Sequence, residues 1–225
     1  MTIIFNDIKY VFRMLRNSPG FTAVAVLSLA LGIGAGTAIF SLVNGILLRS
    51  LPVSNPHELR VLEWTGRDPQ IDAFHGSMYT NESRLTRADV VSYPAFARLR
   101  RDCNDLADVF GYKPLHNVTA RAQREAFVTK GAMVSDNFFS ALGVKPLLGR
   151  LLSSQDNDPG TRSVTVITNT LWQRQFDGNP GVLGQPILYN GYDFTIVGVL
   201  PRGFVGIQPA DETPFYVPMS AQPQL

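Results

Sequence analysis

Thirty-two consecutive residues, Asn17 to Leu48, carry no charge, and from Phe21 onward nearly all are apolar or small. A bilayer core about 30 Å thick is crossed by roughly 20 apolar residues in a helix, so this run is long enough to span it. A secretory signal peptide is the competing reading, but its apolar region is only about 7–15 residues long. Here the apolar part is about twice that length, and sixteen residues precede it. The run therefore reads as an uncleaved transmembrane helix over residues 21–48.

Lys9, Arg13 and Arg16 precede the helix against a single acid, Asp7. Basic flanks stay on the cytoplasmic side, which places the N-terminus inside and residues 49–225 outside, in the periplasm of a cell that has one. With Arg49, four of the 20 Lys and Arg residues lie at the membrane end, which leaves 16 basic residues against 17 acids beyond it. An exported part so near neutrality argues against a nucleic-acid surface and against strong binding to anionic lipid.

Before the span, Ile4, Ile8, Val11, Phe12 and Leu15 share one helical face, while Lys9, Arg13 and Arg16 share another. Residues 1–20 thus read as an amphipathic helix lying in the cytoplasmic interface, broken by Asn17-Ser18-Pro19-Gly20. A plain basic flank that only sets topology is the alternative. Within the span, Gly32 and Gly36 form a GxxxG pair, and Ala30, Gly34, Ala38 and Ser41 continue small positions along neighbouring stripes. In lipid, close backbone approach through small residues drives helix association, so these six positions are candidate helix-packing residues. The Gly32-Ile33-Gly34-Ala35-Gly36 run is no nucleotide loop, since no strand precedes it and it sits in mid-membrane.

The exported part is long enough for one large domain or two small subdomains. Its one cysteine, Cys103, rules out an intrachain disulfide and sits in what reads as a polar helix end. Alternation predicts strands at Leu59–Thr65, Leu106–Lys113, Asn117–Ala120, Glu125–Val134, Ser163–Thr168 and Phe215–Val217. Helices are predicted over Ser92–Arg101, just after Ser135, and over Asn169–Phe176. Residues 66–87 read as a loop. Asn190-Gly191 between alternating runs is a strong hairpin signal, pairing Pro186–Tyr189 with Tyr192–Val197. Phe138, Phe139, Trp172, Phe176, Phe194 and Ile196 read as core, with a hydrophobic groove as the alternative. The fold class is α+β: one N-terminal transmembrane helix followed by a mixed α/β domain.

Three stretches carry a family resemblance. NSPGFTAVAVLSLALGIGAGTAIFSLVNGILLRSLPV, followed by PHEL, resembles the first membrane segment of MacB/FtsX-type ABC transporter permeases, nearest to the acidobacterial duplicated orphan permeases. VSDNFFSALGVKPLLGRLLSSQDNDPG and TLWQRQFDGNPGVLGQPILYNGYDFTIVGVLPRGFVG resemble the two signatures of the family's outside domain. The resemblance implies an inner-membrane protein with a MacB-like periplasmic core domain over 49–225. It also implies a cytoplasmic ABC ATPase as partner, with other permease helices or a second permease copy beside the membrane helix. Family members carry further membrane helices that this sequence lacks, so the chain reads as a fragment with an incomplete outside domain. An unpaired strand edge is then expected near the C-terminus or at Leu59–Thr65, with exposed apolar side chains around Phe204–Val217.

The residues offer little chemistry. No GxxxxGK[ST] occurs, so ATP would be hydrolysed by a separate protein. His57, His75 and His116 are too widely spaced for a zinc signature, although His75 with Asp72 and Glu82 is a conceivable cluster. No GxSxG or SxxK supports a serine nucleophile, and Asp156 and Asp158 before Pro159-Gly160 read as a turn. No catalytic residue, metal ligand or cofactor is assigned. The leading expectation is a permease component that couples a cytoplasmic ATPase to an outside domain. A non-transporting regulator and a signal-anchored exported enzyme are the alternatives.

Overall fold

The uncharged run forms one uninterrupted helix, α1, Pro19–Ile46, in a computed structural model of the chain. The structure describes residues 13, 15–46, 53–67, 77–81, 85–123, 125–158, 160–208 and 212–225. Most of the expected in-plane helix, and Leu47 and Leu48 at the end of the span, lie outside these. Helical residues 15–17 are interrupted at Ser18. Pro19 restarts the helix at a position where a missing N–H costs nothing. The Thr22 hydroxyl donates to the carbonyls of Leu15 and Ser18 at 2.7 and 3.0 Å, and the Ser18 carbonyl also accepts the Thr22 N–H at 3.0 Å, so the break is bridged from one residue. The glycines in mid-helix do not interrupt it.

Residues 1–49 and 50–225 are separate units. The second begins with a docked segment at Val53–Leu59. A three-stranded antiparallel sheet follows, in the order β1 (Trp64–Arg67), β3 (Leu85–Ala88), β2 (Met78–Thr80). Helix α2, Tyr93–Asp102, carries Pro94 in its first turn and ends at Cys103, which is free and half-buried. The main sheet then gathers β4 (Tyr112–Ala122), β5 (Glu125–Val134), β6 (Leu148–Gly149), β7 (Val164–Ile167), β8 (Pro186–Tyr189), β9 (Tyr192–Val199) and β10 (Phe215–Pro218). Two short helices, α3 (Phe138–Ala141) and α4 (Asn169–Phe176), lie between them.

The strand order is β6-β9-β7-β10-β5-β4-β8, and β8 also pairs with β9. Six strands therefore close into a ring, with β6 added at the far end of β9. Its two hairpins, β4–β5 and β8–β9, are local in sequence, whereas β7–β9 and β10–β5 are parallel pairings between distant segments.

Alternation along each strand divides the apolar side chains between two clusters. Inside the ring lie Leu115, Val118, Ala120, Met133, Ile167, Ile187, Tyr189, Phe194, Ile196, Phe215 and Val217, joined by Leu171, Trp172 and Phe176 of α4. On the other face Ala132, Val134, Val164, Val166 and Tyr216 meet Phe138, Phe139 and Leu142 of α3 and its C-terminal end, together with Phe204. Phe215 stacks on Tyr189 with ring centroids 3.8 Å apart and an interplanar angle of 13°. Its ring lies over Gly131, where a Cβ would come within 2.5 Å of it. The aromatic residues read as core are thus core.

The expected strand at Leu106–Lys113 is absent over Leu106–Gly111, which are turn and irregular backbone with Leu106 85% exposed; only Tyr112 and Lys113 belong to β4, which takes in the expected strand Asn117–Ala120. Leu115 and Val118 both face inward although three residues apart, because the ladder with β5 shifts register between them and Asn117 takes φ 56°. A bulge absorbs the odd residue and keeps one face apolar. The expected loop over 66–87 contains β2 and β3. The expected strand at Leu59–Thr65 starts only at Trp64, because Leu59 ends a 3-10 turn, Pro56–Glu58, and the Arg60 guanidinium bonds the carbonyls of His57 and Leu59.

The exposed apolar patch expected around Phe204–Val217 is absent among the described residues of that region. Phe204 is 4% exposed, and Phe215, Tyr216 and Val217 are fully buried, since β10 runs between β5 and β7 in mid-sheet. Exposed apolar side chains lie instead at Val61 and Leu62, 75% and 54% exposed, and at Tyr79 on edge strand β2. The edge expected at Leu59–Thr65 does exist, since β1 pairs with β3 alone among the described residues.

The β8–β9 hairpin has the expected turn, with Asn190 and Gly191 at φ 49° and 87°. Asn190 does more than turn. Its Oδ1 accepts the Thr119 N–H at 3.0 Å, and its own N–H donates to the Thr119 carbonyl at 2.8 Å, which extends the β4–β8 ladder by a side chain. Replacing Asn190 by glycine should cost about 1 kcal/mol, one hydrogen bond. Alanine should cost about 2 kcal/mol, because the left-handed backbone is then strained as well. Urea unfolding of the detergent-solubilised chain, followed by Trp172 fluorescence, measures both.

Candidate functional site

The six candidate packing residues all lie on α1. Each residue turns an α-helix by about 100°, so Ala30, Gly34, Ala38 and Ser41 form one strip about 80° wide. Gly32 and Gly36 fall about 180° away from its centre, on the opposite side, rather than on a neighbouring stripe. All six are exposed, and nothing lies within 4 Å of where a Cβ would sit on Gly32, Gly34 or Gly36. The larger side chains between the strips, such as Leu31, Ile33 and Phe40, are 61–78% exposed. The Thr37 hydroxyl is satisfied by the Ile33 carbonyl at 2.8 Å. A helix of this kind offers two smooth faces, each lined by ridges of larger apolar residues.

In the outside unit, two arginine–carboxylate pairs stand out. Arg150 grips Asp156 through two bonds of 2.7 Å, and Asp156 also accepts the Ser153 N–H at 2.8 Å and the Ser153 hydroxyl at 3.0 Å. The Ser220 hydroxyl reaches the Asp156 carbonyl at 3.3 Å, tying the C-terminal turn, Met219–Gln224, to the same point. Burial opposes ionisation of Asp156, but the bonds from Arg150 and Ser153 outweigh it and hold the carboxyl below its ordinary pKa. Arg100 on α2 forms the second pair, with bonds of 2.5 and 3.2 Å to Asp136 just before α3. The hydrogen bond from Arg100 lowers the Asp136 pKa.

Both clamps join secondary elements, and neither opens onto an enclosed cavity. Asp156 is legible in the sequence only as part of a turn. The signal that finds it is Ser153-x-x-Asp156, the spacing of a box in which the fourth residue reaches back to the first. Nothing in the sequence pairs Arg100 with Asp136, which are 36 residues apart.

The histidines are scattered. His57 sits in the 3-10 turn and His116 is exposed on β4, while His75, Asp72 and Glu82 lie outside the described residues. Among the described residues, no three His, Cys, Asp or Glu side chains are grouped so as to hold a metal ion. The groove beside α2, lined by Tyr93, Phe96, Ala97, Arg100, Arg101 and Asn104, is shallow and open.

Residues 22–225 match the sequence profile of the family described as the MacB-like periplasmic core domain. No curated protein matches the chain. Among solved structures, the periplasmic region of MacB from Actinobacillus actinomycetemcomitans is similar at 20% identity and a TM-score of 0.42, over 53% of this chain and 54% of that one. The extracellular domain of the noncanonical ABC-type transporter YknZ from Gram-positive bacteria is similar at 18% identity and a TM-score of 0.47, over 60% of this chain and 65% of that one. The chain thus spans between about half and two thirds of the length of these solved domains.

The two clamps make stability sensitive to acid. Asp136 and Asp156 both have lowered pKa values in the folded chain, so each stabilises it above the unfolded carboxylate pKa, about 3.9. That contribution is lost as pH falls below about 4 and the carboxylates take up protons. Asp156→Asn should flatten this acid limb and, with Arg150 left without its partner, destabilise the chain by about 2–3 kcal/mol at neutral pH. Urea midpoints measured from pH 7 down to pH 3 test both effects.

Proposed function

The chain belongs to the MacB-like periplasmic core domain family, and we propose that it is the membrane-anchored part of an ABC-type permease. In this reading α1 spans the inner membrane, residues 1–20 lie at the cytoplasmic face, and residues 49–225 form the domain outside. A separate cytoplasmic ATPase supplies the energy, and α1 carries the resulting movement across the membrane. The observation that carries the reading is the join between the family match and a 28-residue helix without a charge, exposed along its described faces. A helix of that composition gains from leaving water for lipid, and its small-residue strips give other membrane helices a place to pack.

The exposed Val61, Leu62 and Tyr79 support a second reading, in which the outside unit binds another envelope protein without transport. Under either reading the same topology is expected. It is tested with Val128→Cys, a site 69% exposed on β5, in a chain whose half-buried Cys103 is replaced by serine. The new thiol should react with a membrane-impermeant maleimide in intact spheroplasts. Protection until lysis would place the domain in the cytoplasm and remove the proposal. Photo-crosslinking from Arg13 or Arg16 should then capture an ABC ATPase. Its consistent absence from the adducts would defeat the transport reading and leave the second.

The two faces of α1 also make separable predictions. Gly34→Ile and Gly36→Ile each fill one smooth strip, and each should weaken helix association in bilayers by about 1 kcal/mol, roughly fivefold in the dissociation constant. Because the strips are opposite, the double variant should lose the sum of the two. Energy transfer between labelled chains in vesicles reads this.

A further inference from the structure

The small sheet ends in a strand with one side unpaired. β1, Trp64–Arg67, bonds β3 along one edge, and among the described residues no strand lies along the other. Its two faces differ. Trp64 and Gly66 stand opposite Ala88 and Thr86, which are buried, and the Trp64 Nε1–H donates to the Val90 carbonyl at 2.7 Å, so the indole is fixed. A Cβ on Gly66 would come within 3.1 Å of that indole, so the ring lies over the glycine. On the other face Thr65 and Arg67 are exposed. Glu63, just before the strand, shares that face, and its carboxylate lies 3.9 Å from the Arg87 guanidinium.

The order of residues along this edge decides what can pair with it. Residues directly opposite in an antiparallel pair share a face, so the edge can meet a second copy of itself only in every second register. Centred on Glu63, the pairing sets two carboxylates against each other. Centred on Trp64, it sets indole against indole and leaves Glu63 facing Thr65. Centred on Gly66, it sets Arg67 against Thr65. Centred on Thr65, it sets Glu63 against Arg67 twice and Trp64 against Gly66 twice. Opposite charges directly across a pair attract and like charges repel, and the bare glycine leaves room beside each indole. Charge and bulk thus select the same register. The far edge, β2, offers nothing comparable, since Met78-Tyr79-Thr80 carries no charge.

We propose that β1 pairs with β1 of a second copy of this chain, antiparallel and centred on Thr65, so that two three-stranded sheets join into one of six strands. Glu63 then lies between Arg87 of its own chain and Arg67 of the second copy, an acid flanked by two bases across three strands. A charged edge repels indiscriminate pairing, whereas a self-complementary one admits its own copy. The contact is small, so it forms between copies concentrated in a membrane rather than in dilute solution. It goes beyond both readings of function given above and rests only on the membrane anchoring common to them. The topology experiment does not use this edge, so either result can fail alone.

The test uses the full chain with Cys103→Ser in lipid vesicles, carrying either Thr65→Cys on the proposed axis or Tyr79→Cys on the far edge. Residues directly opposite have Cα atoms about 4.5–5.5 Å apart, within disulfide reach. Mild oxidation should link the Thr65→Cys chains roughly tenfold faster than the Tyr79→Cys chains. In the Thr65→Cys background, Glu63→Lys and Arg67→Glu should each slow linkage roughly fivefold. The double variant should recover the rate, because reversed charges again meet their opposites. A mixture of the two single variants should recover it too, since each supplies the charge the other lacks. None of these changes touches α1, so association through the membrane helix stays constant across the series. Equal linkage at the two positions, or linkage indifferent to the single reversals, would overturn the pairing. So would failure of both the double variant and the mixture to recover the rate, while recovery in either supports it.

Discussion

The outside domain depends on one strand being bonded on both sides. β8 pairs with β9 through a tight turn and with β4 through only two residue positions, Ala120 with Tyr189 and Arg121 with Leu188. Without that short seam the main sheet would be an open sheet with two long edges. With it the sheet closes, and Tyr189 and Phe215 can stack inside, away from water. The Asn190 side chain lengthens the seam, standing in for a backbone group beyond the last residue of the strand. Closure removes two edges that would otherwise recruit other chains.

With one face of the ring filled from within, the other needs a cover, and α3 with Phe204 supplies it. β10 links the two layers: Phe215 and Val217 point inward while Tyr216 points outward. One four-residue strand thus holds both clusters, and the clamps at Asp136 and Asp156 fasten the segments that carry the cover and the C-terminal turn.

Legibility follows the range of the interactions. Helix α1, helix α4 and the β8–β9 hairpin are readable because each depends on neighbours within a few residues: an uncharged run, a capped amphipathic turn, an Asn-Gly pair. β4 begins six residues later than expected because Leu106–Gly111, although alternating, finds no strand partner, and the bulge at Asn117 breaks the alternation within the strand that does form. Residues 66–87 pass for a loop because β2 and β3 are short and lack the apolar alternation of a buried face. The larger error concerns Phe204–Val217. A stretch with few charges is expected to lie bare, yet its partners, β5 and β7, begin 90 and 51 residues earlier in the chain. Along α1 the turn of the helix divides the small positions between two faces, which the linear pattern does not display.

The place of β10 in the ring has a consequence for how the domain comes into being. Residues 215–218 leave the ribosome after every other strand of the ring, yet they occupy the middle of the sheet. Until they arrive, β5 and β7 have no common neighbour, and the faces later covered by Phe215 and Tyr216 are open to water. Pairing Tyr216 with Ala132 also closes a loop of more than eighty residues, which makes it a slow step. The ring is therefore assembled after synthesis of this segment rather than during it, and the nascent chain must be shielded for that interval.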